Sequence, residues 1–244
     1  GLTLIGALFM MVACSSSSST TDDSGGGTTP PVDTGNVATI YTTTADKTHL
    51  LEQSTASIQT TTNMAPTTIQ LDASKTYQTM DGFGFALTYS TCYNLMKMTP
   101  EDREAFLKKT YSATDGFGVS YARISIGCSD FSSTEYTLCD QKGIENFALQ
   151  SDEKNYVIPV IKEILSINPN LKIIASPWTC PKWMKVKDLD SMEPYDSWTD
   201  GHLNPNEYQD YATYFVKFIQ AMKDQGISIY AVTPQNEPLN TGNC

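Results

Sequence analysis

Histidine is scarce in this chain. Its 244 residues include two, His49 and His202, and its six cysteines, at 14, 92, 128, 139, 180 and 244, form no C-x-x-C pair. A zinc site built from Cys and His is therefore disfavoured, and nothing calls for a metal or a cofactor. Basic runs are missing too. Sixteen Lys and Arg stand against 27 Asp and Glu, a net charge of −11, which argues against nucleic acid as a partner. No complete G-x-G-x-x-G follows a strand: Gly82-Phe83-Gly84 lacks the third glycine and opens no immediate helix. A dinucleotide-binding fold is disfavoured on that ground. The apolar start, residues 1–14, is shorter than the ~20 residues a membrane-spanning helix needs.

That start reads instead as the core of an export signal, itself truncated, with no initiator Met and no basic n-region. Met11-Val12-Ala13-Cys14 resembles a bacterial lipobox, in which the cysteine is lipidated and becomes the mature N-terminus. An ordinary signal peptide with an incidental cysteine is the alternative. Residues 15–36 are Ser, Thr, Gly and Pro in the main, a flexible tether that cannot form a core. The expectation is an exported bacterial lipoprotein at the cell surface or periplasmic face, touching the membrane only through its lipid.

The remaining composition, 40% hydrophobic overall, supports a core, and most cysteines read as small buried residues. Residues 37–77 carry Thr, Ile, Val and Tyr at period two in Val37–Thr44 and again in Thr67–Leu71, which predicts strands of a small β element. From Gln78 strands and helices alternate. A glycine-rich strand end at Met80–Phe85 leads to Thr99-Pro100-Glu101, an N-cap with Pro in the first turn, and a helix to about Tyr111. Gly118–Gly127 reads as a second strand, Leu171–Ser176 as a third and Ile229–Val232 as a fourth. Between them, Val157, Val160, Ile161 and Ile164 mark one amphipathic helix. A second starts at Asn204-Pro205, with a stripe of Tyr208, Tyr211, Ala212, Phe215, Ile219 and Met222, and ends at Gly226. Such alternation implies a parallel sheet, doubly wound or a barrel.

Every candidate chemical residue falls at or just after a strand's C-terminal end, the functional face of a (β/α)8 barrel. A complete barrel needs roughly 250 residues, so four strands after Gln78 make about half of one. Asn236-Glu237-Pro238 follows the fourth strand. A carboxylic acid beside an amide at that place suits the general acid of a retaining glycosidase, where burial and a neighbouring carboxylate raise its pKa. A capping or salt-bridged Glu is the plainer reading. Asp130, in Cys128-Ser129-Asp130-Phe131, offers acceptors for two sugar hydroxyls, or caps a turn. Arg123 sits inside strand two, where a charge needs a carboxylate partner, for catalysis or for a structural ion pair. Trp178 and Trp183 stand between prolines after strand three; Trp178 is the better sugar platform, and Trp183 equally suits packing of its own loop. Trp198 and His202 are candidates for an outer subsite, though a solvent-exposed or capping role is the default for His202.

Taken together, Gly82-Phe-Gly84, Arg123 with Cys128–Phe131, Ala175–Trp183, Tyr214–Phe218 and Ala231–Pro238 resemble glycoside hydrolase family 30, the glucosylceramidase and endo-β-1,6-glucanase family. The likeness covers residues 78–244. It implies a (β/α)8 TIM barrel, present up to strand four, and a β-sandwich side domain to which residues 37–77 contribute the N-terminal strands. It implies retaining hydrolysis of β-glucosidic bonds, with Glu237 as acid/base, Asn236 beside it, and Asp130, Trp178, Arg123 and Trp183 as substrate-binding residues. The nucleophile would be a second Glu on strand seven, after Cys244, so the 244-residue piece alone is expected to be inactive. Phe85-Ala-Leu-Thr stands where the lysosomal member has Gly and Asp, a departure that leaves leaving-group preference open; the anchor and tether favour an external β-1,6-glucan over glucosylceramide. A surface glycan-binding lipoprotein without catalysis is the alternative of another class.

Overall fold

The computed structural model describes residues 37–58 and 67–240. The signal segment, the tether and Cys14 lie outside those residues. The chain divides into two compact units, Gly1–Tyr77 and Gln78–Cys244.

In the first unit β1 (Val37–Thr42) pairs antiparallel with β2 (Glu52–Ser57), Val37 opposite Ser57 and Thr42 opposite Glu52. Asp46 braces the connecting turn. It accepts hydrogen bonds from the hydroxyls of Thr44 and Thr48 and from the Thr48 N–H, and these hold its carboxyl below the usual range. The second strand is not where period two puts it. Residues 67–71 form no strand, and Ile69 and Leu71 are exposed. A strand lasts only where a partner takes its backbone groups. Glu52–Ser57 has that partner across the turn, although its polar side chains carry no alternation.

The second unit opens with β3 (Gly84–Ala86), followed by α1 (Tyr89–Lys97), α2 (Pro100–Tyr111) and β4 (Tyr121–Ile126). A π-helical turn at Glu153–Val157 leads into α3 (Ile158–Ile167), and then β5 (Lys172–Pro177). The short pair β6 (Lys185–Val186) and β7 (His202–Leu203) precedes α4 (Tyr208–Asp224) and β8 (Ala231–Val232). Four strands form one parallel sheet in the order β3-β4-β5-β8. Gly84 is required by that pairing: a Cβ there would lie 2.1 Å from the Tyr121 carbonyl oxygen.

Local chemistry sets the helix ends. Thr99 caps α2 by accepting from the Asp102 N–H, with Pro100 in the first turn. Thr88 caps α1 by accepting from the Thr91 N–H, and α1 buries Cys92 and Leu95; periodicity alone did not indicate this helix. α4 ends in a Schellman pattern. Gly226, at φ 79°, donates to Lys223 and Ile227 donates to Met222. Its buried stripe is Tyr211, Tyr214, Phe218 and Met222, while Tyr208 and Ile219 are exposed. The stripe is rotated from the expected one because Tyr214 and Phe218, at i+3 and i+7 from Tyr211, enter the core, where Tyr214 meets Phe147 and accepts from the Leu138 N–H. The core joins Ala122, Ile124 and Ile126 of β4, and Ile173 and Ala175 of β5, to Leu107, Val160, Ile161, Ile164, Tyr214 and Phe218 of the helices.

Candidate active site

The C-terminal ends of β4, β5 and β8 lie side by side and each passes into a loop. β4 passes into Gly127, at φ 80°, where a Cβ would press within 3.3 Å of Thr137 Cα and the Tyr136 carbonyl. There the chain is tied back: Cys128 N–H donates to the Tyr136 carbonyl (3.2 Å) and Tyr136 N–H to Cys128 Sγ (3.0 Å). Ser129 and Ser132 close the next turn (3.0 and 3.1 Å), and the Ser90 hydroxyl donates to the Phe131 carbonyl. The turn leaves Asp130 and Phe131 exposed. After β5, Thr179 and Cys180 are buried and Trp178 is half-buried. After β8, the Thr233 hydroxyl donates to Ser176 Oγ (2.7 Å) and Tyr211 Oη donates to the Pro234 carbonyl (3.0 Å).

These three loops wall a cleft of about 320 Å³ whose lining includes Arg123, Asp130, Trp178, Asn236 and Glu237, with Thr88, Ser125, Ser129, Phe131 and Ser176. An Arg123 guanidinium N–H donates to Asn236 Oδ1 at 2.8 Å, across 113 residues of sequence. The partner found is thus a neutral amide and not the carboxylate expected. Glu237 has φ 47°, a left-handed conformation uncommon outside glycine. Its carboxylate accepts from Asn240 Nδ2 at 2.9 Å. It is exposed within the cleft, whereas a proton donor is expected to be buried.

Trp183 does not line this cleft. Its indole N–H donates to the Cys139 carbonyl (2.8 Å) and its ring packs on the core. His202 lines a separate cavity, also about 320 Å³, with Lys185, Tyr211, Pro234, Gln235 and Pro238. Buried Lys185 donates to the carbonyls of Ser197, Trp198 and Asp200 (2.9–3.1 Å) and so pins the loop that carries Trp198. The serines at 125 and 176 were absent from the sequence-based set. Period two was the available signal: if Arg123 faces inward, so does Ser125.

Burial keeps Cys128, at the root of the Asp130 loop, a neutral thiol by pushing its pKa up to about 12, so it is no ready nucleophile. Among the described residues no group of His, Cys, Asp and Glu gathers as a metal site. The chemistry at hand is two carboxylates, an arginine, an amide and two aromatic rings, Trp178 and Phe131.

Residues 80–243 match the glycosyl hydrolase family 30 TIM-barrel domain. The chain belongs to that family. The family 30 sheet is here four parallel strands of the (β/α) barrel. Among curated relatives, the lysosomal acid glucosylceramidase of Mus musculus is 28% identical over 77% of this chain and 36% of its own length. The endo-1,6-beta-D-glucanase BGN16.3 of Trichoderma harzianum is 33% identical over 70% of this chain and 36% of its own. A solved structure, the endo-beta1,6-glucanase BT3312, superposes with a TM-score of 0.75 at 65% identity, covering 86% of this chain and 45% of that one. SrfJ from Salmonella typhimurium shares the fold, with a TM-score of 0.72 at 23% identity over 85% of this chain and 45% of that one. The chain therefore spans about a third of the length of these curated relatives and under half of these structures.

Proposed function

We propose that this chain contributes the acid/base half of a retaining β-glycosidase site whose substrate is a β-1,6-glucan. One observation carries the reading: Arg123, Asp130, Trp178, Asn236 and Glu237, from separate strand ends, line one cleft. The 65% identity to an endo-β-1,6-glucanase supports the substrate. Glu237 protonates the glycosidic oxygen while a second carboxylate attacks the anomeric carbon and forms a covalent glycosyl intermediate. Glu237 then takes a proton from the water that releases the sugar. Asp130 and Asn236 bind sugar hydroxyls, and Trp178 stacks on a ring face. The second carboxylate is assigned to the part of the family's length that this chain does not span, whose strands would also bury Glu237. Alone, the chain is expected to be inactive, because β3 and β8 are sheet edges and Tyr230, whose ring meets Tyr121 on the inward face, is 58% exposed.

Replacing Glu237 with Gln in a protein of the relatives' full length tests the role. Hydrolysis of glucosides with poor leaving groups should fall by about 10²–10⁴-fold, and activated aryl glucosides should suffer far less. Undiminished turnover would overturn the assignment. Glucosylceramide is the second substrate reading, supported by the mouse relative; turnover of that lipid in preference to β-1,6-linked glucose oligomers would favour it. A non-catalytic glycan-binding role predicts no carboxylate opposite Glu237.

Export and lipidation at Cys14 belong to the same proposal, supported by Met11–Cys14 and the polar stretch after it. A Cys14→Ala variant of the precursor should leave the membrane fraction; retention there would refute the anchor.

A further inference from the structure

Gln235 precedes the candidate acid loop and lies outside the cleft, yet its carboxamide spans two of the walls. Its Nε2 donates to the Trp178 carbonyl at 2.9 Å and to the Asn236 carbonyl at 3.0 Å. Both amide hydrogens therefore have carbonyl acceptors, one on the β5 loop and one on the β8 loop. The Thr233–Ser176 hydroxyl bond forms a second rung of the same ladder, 2.7 Å long. From behind, Tyr211 Oη holds the Pro234 carbonyl at 3.0 Å. Immediately after this fixed segment, Asn236 meets Arg123 and the backbone enters the left-handed region at Glu237, φ 47°. A non-glycine residue stays in that conformation where its surroundings over-determine it. Gln235 lines the cavity behind the loop, with Pro238, and not the cleft itself. It cannot touch a substrate in the cleft.

We infer that Gln235 is a positioning residue: its carboxamide locks the Glu237 loop to the Trp178 loop, so that proton donor and sugar platform form one rigid unit. The inference rests on the reading of Glu237 as proton donor. The chemistry selects a carboxamide. A glutamate at 235 would turn lone pairs toward two carbonyls, a methionine would leave both without a donor, and a protonated glutamic acid would restore one bond.

The experiment compares Gln235→Met, Gln235→Glu and Glu237→Gln in the full-length protein on aryl β-glucosides of graded leaving-group ability. Gln235→Met should lose on the order of 10- to 100-fold in kcat on poor leaving groups, with little loss on dinitrophenyl glucoside and KM nearly unchanged. Gln235→Glu should regain activity as pH falls, relative to wild type, whereas Gln235→Met should not. Equal loss across all leaving groups, or no loss, would overturn the inference, as would a wild-type pH profile in Gln235→Glu. If Gln235→Met does not fold, the pH profile of Gln235→Glu decides alone. If Glu237→Gln shows no leaving-group dependence, the reading of Glu237 fails; if it does and Gln235→Met does not, only the lock fails.

Discussion

Along β4 and β5, neighbouring residues meet two different surroundings. Ala122, Ile124 and Ile126 alternate with Tyr121, Arg123 and Ser125, and Ile173 and Ala175 with Lys172 and Ile174. The first set is buried beneath the helices. The second turns to the opposite face, where Arg123 is exposed and binds Asn236. The outward face is apolar and buried; the inward face is polar at its C-terminal end, where Arg123, Ser125 and Ser176 line the cleft. Period two in one strand thus separates the residues that hold the fold from those proposed to do chemistry.

If that separation is sound, damage should also separate. Ile173→Ala removes a fully buried side chain from the outward face and should cost about 2–5 kcal/mol. Urea unfolding would register this as a lower midpoint with an unchanged slope; a loss under 1 kcal/mol would break the contrast. Arg123→Met on the inward face should act the other way. It releases Asn236, so in a protein of the relatives' full length kcat/KM for a β-glucoside should fall by about 10- to 100-fold, roughly 1.4–2.7 kcal/mol. Its thermal midpoint should move by only a degree or two, since an exposed guanidinium contributes little to stability.

The smallest effect sharpens the comparison with pH. Glu153, 3% exposed beneath the Asp130 loop, accepts hydrogen bonds from Tyr136 Oη (2.8 Å) and the Gln150 N–H (2.9 Å). Burial raises its pKa despite those bonds. A raised folded-state value means that its stabilising contribution is fully present below the unfolded carboxyl range. It is lost as pH rises through the folded value. Wild type should therefore lose stability relative to Glu153→Gln as pH climbs above ~4.5, by at most about 1.4 kcal/mol per pH unit. Parallel pH profiles of the two proteins would refute that account.

The four strands of the parallel sheet and the ends of the helices could be read in advance because their signals are local. Thr99-Pro100 and Gly226 mark helix ends by cap chemistry, and β-branched runs mark buried parallel strands. β2 could not, since Glu52–Ser57 is held by its partner and not by any pattern of its own. The rotated face of α4 depends on which side enters the core. At the cleft, Glu237, Asp130, Trp178 and Asn236 could be grouped in advance because each stands just after a strand's C-terminal end, and they line one cleft. Gln235 was not, because its part depends on the Trp178 carbonyl, 57 residues away in sequence. The same distance problem concealed Arg123's amide partner and the bond from Trp183 to the Cys139 carbonyl, 44 residues away.

The most direct measurement is the position of the Glu237 carboxyl in a structure of a protein of the relatives' full length with a β-glucoside bound. The account predicts a buried carboxyl within about 2.6–3.2 Å of the glycosidic oxygen, with an opposing carboxylate about 5–5.5 Å away. A Glu237 pointing into bulk solvent, with no acid facing it across the cleft, would contradict it.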